Sequence, residues 1–575
     1  MAQHIETKDE RPLQHFWLKN FLAVDTTDSR LAPLDNACFY DLTNCQPVGF
    51  SNLHSVNDIS AVLHDFSPEE PIYSWNINIQ GVEHLLIATR ATSYHPPNPN
   101  PITVLHLWDY NVATGVTTAI SPPSTGQNFF DDDGSLDIVQ WDYTKALIVA
   151  NNGYWYWVPG SPATPVLDWP GDAQVPPVPP PTPTDPNPNA IPSGGNAIAV
   201  YNNMTWIASK RLLYFSASTD FTQFSTTQGG GFAGLTDPTL KSDVKALFVA
   251  NGYLYVFGET SIDAISDVYY PIDPATGQQL ATPSFTKLNI SAIIGTDQAD
   301  SIMVFGRAVL FANRMGVWSL YGTQVQQISA FDPNNMYMSS ISGTWQYLAI
   351  SERSISGGQV LTNALLNAAW RVVRSGDPIF PDGPFVVMWQ QDAAGGKWWS
   401  LDYSEYGSLT HVVMALVNYA PALFGCIDNK LYQLIADPTS APRARVMTSL
   451  WDLQDPITDK QVIRSGVRLT VTGDPAKIGV NINMDTVRDT FPLSLTQIGL
   501  LNVVNNTSQL VALKNSSGAA VSLMNVDPPF FAYWGAAPGC FSKYIGYTLT
   551  TRRGSIFEIN SFLLDYKLGP RWTGD

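Results

Sequence analysis

The stretch Ala246-Leu-Phe-Val-Ala250, Asn251-Gly252, Tyr253-Leu-Tyr-Val-Phe257 sets two apolar, β-prone runs on either side of an Asn-Gly pair. Branched and aromatic side chains favour extended backbone, and Asn-Gly accepts the positive φ of a two-residue hairpin turn. A near copy lies at Ala146-Leu-Ile-Val-Ala150, Asn152-Gly153, Tyr154-Trp-Tyr-Trp-Val158. A third reads Leu423-Phe-Gly-Cys-Ile427, Asp428-Asn429, Lys430-Leu-Tyr-Gln-Leu434. Each predicts two half-buried strands meeting at a tight turn with positive φ.

Working outward, the same texture recurs. His84–Thr89 faces Thr103–Trp108, and Ala197–Tyr201 faces Met204–Ala208 across Asn202-Asn203, with Leu212–Ser216 next. Ser301–Phe305, Ala308–Ala312 and Gly316–Tyr321 form a further set. Such units recur roughly every 40 to 60 residues, the length of a four-stranded propeller blade with its loops. The fold class predicted is all-β, a β-propeller with an additional β-sandwich-like domain. The organisation is an N-terminal arm over 1–35, the propeller over 36–440, and the sandwich-like domain over 441–575. Val462–Val471, Lys543–Thr550 and Ser555–Tyr566 are the longer alternating strands that set the last part apart. Gln359 to Val373 is the best helix candidate, although Trp370–Val373 also reads as a strand. Pro170 to Pro192 carries too many residues without an N–H to join a ladder, and reads as an extended insertion of polyproline character.

The chain has 575 residues, 31 Lys and Arg against 49 Asp and Glu, and a formal net charge of −18. Charged residues make up 14%, below the ~25% of ordinary soluble proteins. Hydrophobic residues at 45% exclude a disordered chain, and 17 Trp, 24 Tyr and 26 Phe suit blade cores and subunit interfaces. An acidic balance argues against gripping nucleic acid through a general basic surface, but not against letting it slide past. The polar start Met1–Glu10 reads as no secretory signal, and no apolar run approaches the ~20 residues of a membrane helix, so no membrane segment is expected. Cys38, Cys45, Cys426 and Cys540 lack metal-like spacing; Cys38 with Cys45 is a conceivable pair, and free buried thiols are the reading preferred.

Chemistry is scarce. Of eight histidines, only His411 falls after His106, which leaves little from which to build a triad, and there is no Gly-x-Ser-x-Gly elbow. His-Glu-x-x-His, Cys-x-x-Cys and the phosphate-binding loop signature are missing too. Gly229-Gly-Gly231 reads as a flexible loop. Asp131, Asp133 and Asp137, with Ser135, are candidate oxygen ligands for a hard cation. No glutamate completes an EF-hand-type loop, and the other reading is an exposed acidic turn before Ile138–Trp141. Trp108-Asp109 and Trp141-Asp142 lack the spacing and the Gly-His of WD40 blades, and read as aromatic strand ends. No catalytic residue and no cofactor is assigned, and the chain is read as a non-enzyme.

Several stretches together resemble the tail nozzle, or packaged-DNA stabilisation, proteins of short-tailed bacteriophages. They are Leu213–Ser225, Asn251–Ile262, Gly295-Thr296, Gly306–Phe311, Gly316–Gly322 and Gln326–Ser329, with an ending at Phe557–Asn560 and Asp565–Trp572 that is similar to the close of a virion tail β-domain. The resemblance covers about residues 40 to 440 best. It implies a structural virion protein, made in the host cytoplasm and located in the tail. It further implies a homohexamer below the head–tail adaptor ring, in contact with tail needle or tail fibre proteins. Genomic double-stranded DNA would pass through without specific binding, retained until ejection. Six copies would carry −108 formal charges, and an acidic lumen would repel phosphate within about 10 Å of the wall at 0.1 M salt. The Pro170–Pro192 insertion does not map onto the resemblance. The arm, with Phe16-Trp17-Leu18 and Phe21-Leu22, is expected either to thread into the second domain or to contact the adaptor. The competing reading is a carbohydrate-binding or carbohydrate-active propeller that recognises host-surface glycans, which needs paired carboxylates or an aromatic platform in one pocket.

Overall fold

The computed structural model describes residues 11–18, 21, 31–32, 39–48, 52–93, 102–121, 130–131, 135–166, 190–235, 240, 242–280, 282–296, 299–305, 307–313, 316–327, 345–348, 368–373, 385–392, 395–473, 477–484, 491–492, 494–498, 530–535 and 541–569. These residues are all-β, with two short 3-10 helices, Thr226–Gln228 and Ala299–Ser301.

Hairpins add in chain order into small antiparallel sheets. Sheet one holds Glu70–Ile79, Val82–Ser93, Ile102–Asn111 and Val116–Ala119, with Phe130–Asp131 on its third strand. Sheet two holds Asp137–Gln140, Ala146–Ala150, Gly153–Trp157 and Thr164–Pro165. Sheet three holds Ala197–Tyr201, Met204–Ser209, Leu212–Phe215 and Gly231–Gly234. Sheet four holds Val244–Ala250, Tyr253–Gly258, Ile262–Tyr269 and Ser284–Ser291. Sheet five holds Met303–Phe305, Ala308–Asn313, Gly316–Tyr321 and Gln324–Gln327. A sixth group, Trp345–Leu348, Ala368–Val373, Phe385–Asp392 and Gly395–Leu401, pairs in sequence. The seventh, Leu409–Val417, Ala420–Ile427 and Lys430–Leu434, takes its fourth strand, His64–Asp65, from far upstream.

First strands of most successive groups lie side by side. Asp137–Gln140 packs between Glu70–Ile79 and Ala197–Tyr201, and Ala197–Tyr201 packs on Val244–Ala250. Met303–Phe305 packs on Trp345–Leu348, Trp345–Leu348 on Leu409–Val417, and Leu409–Val417 on Glu70–Ile79 again. Apolar cores fill the seams: Leu107, Ile148 and Trp157 between sheets one and two, and Tyr255, Phe257 and Phe311 between four and five. A sheet covered on both faces loses its polar side, so Ala146–Ala150 is buried at every position and not half-buried as its sequence suggested.

Turn geometry follows the sequence at Asn202-Asn203 (φ 55° and 59°), Asn251-Gly252 (53° and 80°) and Asp428 (51°), but not at Asn151 and Asn152. Gly153 is required for another reason: a Cβ there would sit 2.3 Å from the Trp155 ring. The helix expected over 359–373 is a strand at Ala368–Val373, where Trp370-Arg-Val-Val373 brings β-branched side chains, and 359–367 lie outside the described residues.

The last 130 or so residues build two larger sheets with one shared core. One runs Cys45–Val48, Asn52–Ser55, Ser555–Leu568, Lys460–Gly473, Phe530–Gly535 and Ser494–Ile498. The other joins Leu450–Trp451, Ile545–Thr551, Arg445–Thr448 and Phe39–Thr43, and continues through the parallel pair Thr43 and Ser400 into the sixth group. Strands from both sides of residue 440 therefore share sheets. Phe21, Leu53, Trp451, Tyr547 and Phe562 are buried together between them. The arm threads into this region: Gln14–Leu18 pairs antiparallel with Ser555–Leu568, and Arg11 donates to the Leu568 carbonyl at 2.9 Å. Cys45 and Cys426 are free buried thiols, while Cys38, Cys540 and residues 167–189 of the proline-rich region lie outside the described residues.

Candidate functional site

Where the early strand His64–Asp65 completes the seventh sheet, the chain just before it carries a highly connected buried charge. Asp58 is fully buried. Its Oδ1 accepts from the Tyr406 hydroxyl and, at 2.9 Å, from the Ile59 N–H. Its Oδ2 accepts from Ser440 Oγ at 2.8 Å and Arg553 Nε at 2.9 Å. Its backbone N–H donates to the Ser440 carbonyl, and its carbonyl accepts from Ala436 and Asp437. Arg553 also lies over the Tyr406 ring, 4.6 Å from the centroid. Burial pushes the Asp58 carboxyl up, but the bonds from Tyr406, Arg553, Ile59 and Ser440 outweigh it and hold it below the usual carboxylate range. Asp58 thus fastens together the start of the first sheet, the seventh sheet and the final hairpin.

Other buried polar groups work in the same way. His84 Nδ1 lies 2.8 Å from Asp109 Oδ1, both buried, with the imidazole edge-on to Trp157. Glu69 gathers Thr89, His106 Nδ1 at 2.8 Å and Trp108 Nε1 at 3.3 Å. A carboxylate, an imidazole and a hydroxyl in one place suggest a nucleophile, yet Thr89 is fully buried and its oxygen also accepts from Trp108 at 2.9 Å, so no substrate reaches it. Asp263, fully buried, takes Lys287 at 3.0 Å and Asn289 at 2.7 Å. Burial lowers the His54 pKa, and the nearby Glu558 carboxylate opposes the shift.

The candidate cation ligands separate. Asp137 spends its carboxylate on backbone, accepting from Ile138 N–H at Oδ1 and from Ile198 N–H at Oδ2, both at 2.9 Å, which ties sheet two to sheet three. Ser135 Oγ accepts from Asn151 N–H at 2.8 Å. Asp131 lies in the short strand paired with Ile102–Asn111, and Asp133 is outside the described residues. No group of three or more His, Cys, Asp or Glu placed to hold a metal occurs among the described residues.

Much of the acidic surplus has local work. Asp142, Asp220 and Asp437 each accept from the N–H and the hydroxyl of the threonine two residues on. Asp-x-Thr turns of this kind end strands by satisfying free N–H groups. Charge is unevenly divided. Residues 1–440 hold 18 Lys and Arg against 39 Asp and Glu, a net of −21, and residues 441–575 hold 13 against 10, a net of +3.

The Gly-Thr pair quoted above sits at a backbone crossing. Thr296 is fully buried and its N–H donates to the Gly258 carbonyl at 2.9 Å. A Cβ on Gly295 would lie 2.2 Å from that carbonyl oxygen and 2.4 Å from Ser261 N. Asn313 donates to the Gly295 carbonyl and accepts from Trp318 Nε1, both at 2.9 Å. Gly229–Gly231 is likewise a packed corner: a Cβ on Gly230 would meet the Phe224 backbone at 2.6 Å, and one on Gly231 the Phe215 ring at 2.7 Å. No protein-family model matches the chain, and no curated protein does so either.

Proposed function

We propose that the seven strand groups are the blades of one propeller, closed by His64–Asp65 on the seventh, with the two larger sheets forming a sandwich beside it. We further propose that the chain is a structural virion protein, a tail nozzle whose copies ring the DNA channel. In this role it retains packaged DNA and lets it pass at ejection, without catalysing a reaction. One observation carries this reading. The segment whose order of elements resembles the nozzle family occupies sheets four and five in that order, with its Gly295-Thr296 pair at the crossing between them. The charge division supports it, because −21 on residues 1–440 supplies a wall that repels phosphate. Exposed Tyr269, Ile272 and Ile293 on the outer part of sheet four, and Tyr321 on sheet five, supply apolar surface for contacts between copies. Light scattering on the purified chain tests the reading: a mass near six times 63.0 kDa supports it, and a monomer contradicts it.

A further inference from the structure

Where sheets three and four approach, an open cleft of about 440 Å3 is lined by Ser218, Thr227, Gln228, Tyr270, Gln279 and Leu280, among others. No described side chain of the lining is charged. Ser218, Gln228, Tyr270 and Gln279 make no side-chain hydrogen bond or ion pair among the described residues, so their donors and acceptors are available.

The walls, by contrast, are fixed. Asp220 locks the first through Thr222, whose N–H and hydroxyl lie 2.9 and 2.6 Å from its Oδ1. Ser225 caps Thr226–Gln228, and Gly229 ends it at φ 95°. On the second wall, the Asp273 carboxylate takes the Ala275 N–H at 2.9 Å and the Thr276 hydroxyl at 2.7 Å. The Thr282 hydroxyl reaches across to the Thr226 carbonyl at 3.0 Å and joins the two walls. Tyr269 and Ile272, 55% and 68% exposed, stand close by in the chain.

We propose that this cleft binds the neutral end of a glycan. Amides and hydroxyls offer donors and acceptors together, which matches vicinal sugar hydroxyls. Tyr270 adds an aromatic side chain to the lining, the residue type that can pack on a pyranose. Among the described residues no Lys or Arg lines the cleft to hold a phosphate or carboxylate, and Asp220 and Asp273 in the walls disfavour anions. The cleft is shallow and wide open to solvent, so it meets one face of roughly one or two sugar rings and does not enclose them. The site needs one chain only, and Tyr269 and Ile272 beside it are the same residues proposed above for contacts between copies.

Saturation-transfer NMR on the full chain, with chitotriose, cellotriose and maltotriose as probes, tests it. Transfer to at least one probe is expected, with affinity falling roughly tenfold in the Gln228→Ala, Gln279→Ala double variant and in Tyr270→Ala. Thermal melting and particle mass should stay unchanged in both. No transfer from any of the three, undiminished transfer in both variants, or tighter binding of a sulfated tetrasaccharide overturns it. Particle mass reports on the nozzle reading alone, so the two proposals fail separately.

Discussion

Asp58 shows how one side chain joins segments that the chain separates widely. Removing it leaves Arg553, Tyr406 and Ser440 without their acceptor. Asp58→Ala should cost about 3 kcal/mol, read from urea midpoints, whereas Arg553→Ala, at a half-exposed position, should cost about 1 kcal/mol. Acid should act on the same group. The folded pKa of Asp58 lies below its unfolded value, so its contribution is complete above pH ~3.9 and is lost as the pH falls through the folded value. Asp455, held low by the Thr458 hydroxyl and N–H, acts in the same window. His54, lowered by burial, gives a contribution complete above pH ~6.5 that begins to fade below it. Midpoints should therefore decline first below about pH 6.5 and again below about pH 4, with the second decline reduced in Asp58→Asn.

Elements were legible where the signal is local. Ala246–Phe257 declares two strands and its turn, since apolar β-prone runs and Asn-Gly act over a few residues. The pairing of His64–Asp65 with Lys430–Leu434 was not legible, because two residues carry no period and their partner is fixed only once the intervening groups are packed. Asp58 was equally hidden: Val56-Asn-Asp-Ile59 resembles any loop until Tyr406 and Arg553 arrive. The Asp-x-Thr turns could have been read, since Asp142, Asp220 and Asp437 repeat one spacing. The proposed closure makes a kinetic prediction. The Leu63 and Phe66 amides, which donate to the Leu431 and Asn429 carbonyls at 2.8 Å, should exchange hydrogen as slowly as those of Leu409–Val417. Amides that exchange much faster would make the junction a frayed end. At the crossing between sheets four and five, Gly295→Ala meets backbone on both sides and should cost roughly 3 kcal/mol or more, seen as loss of soluble protein or a lowered melting temperature.

At the scale of the whole molecule, the division between −21 on residues 1–440 and +3 on residues 441–575 is the feature that the proposed ring around DNA would put to use. Surface that repels phosphate belongs on the passage, and the near-neutral part is free to meet partners. The turns that hold Asp142, Asp220 and Asp437 keep those carboxylates in fixed positions, so the field they produce is built into the fold. Electron cryomicroscopy of the purified assembly tests this most directly. The account predicts a ring of six chains, each with seven blades, around an open axis lined mainly by Asp and Glu of residues 1–440. A single chain without partners, or a ring whose axis is lined by Lys and Arg, would contradict it.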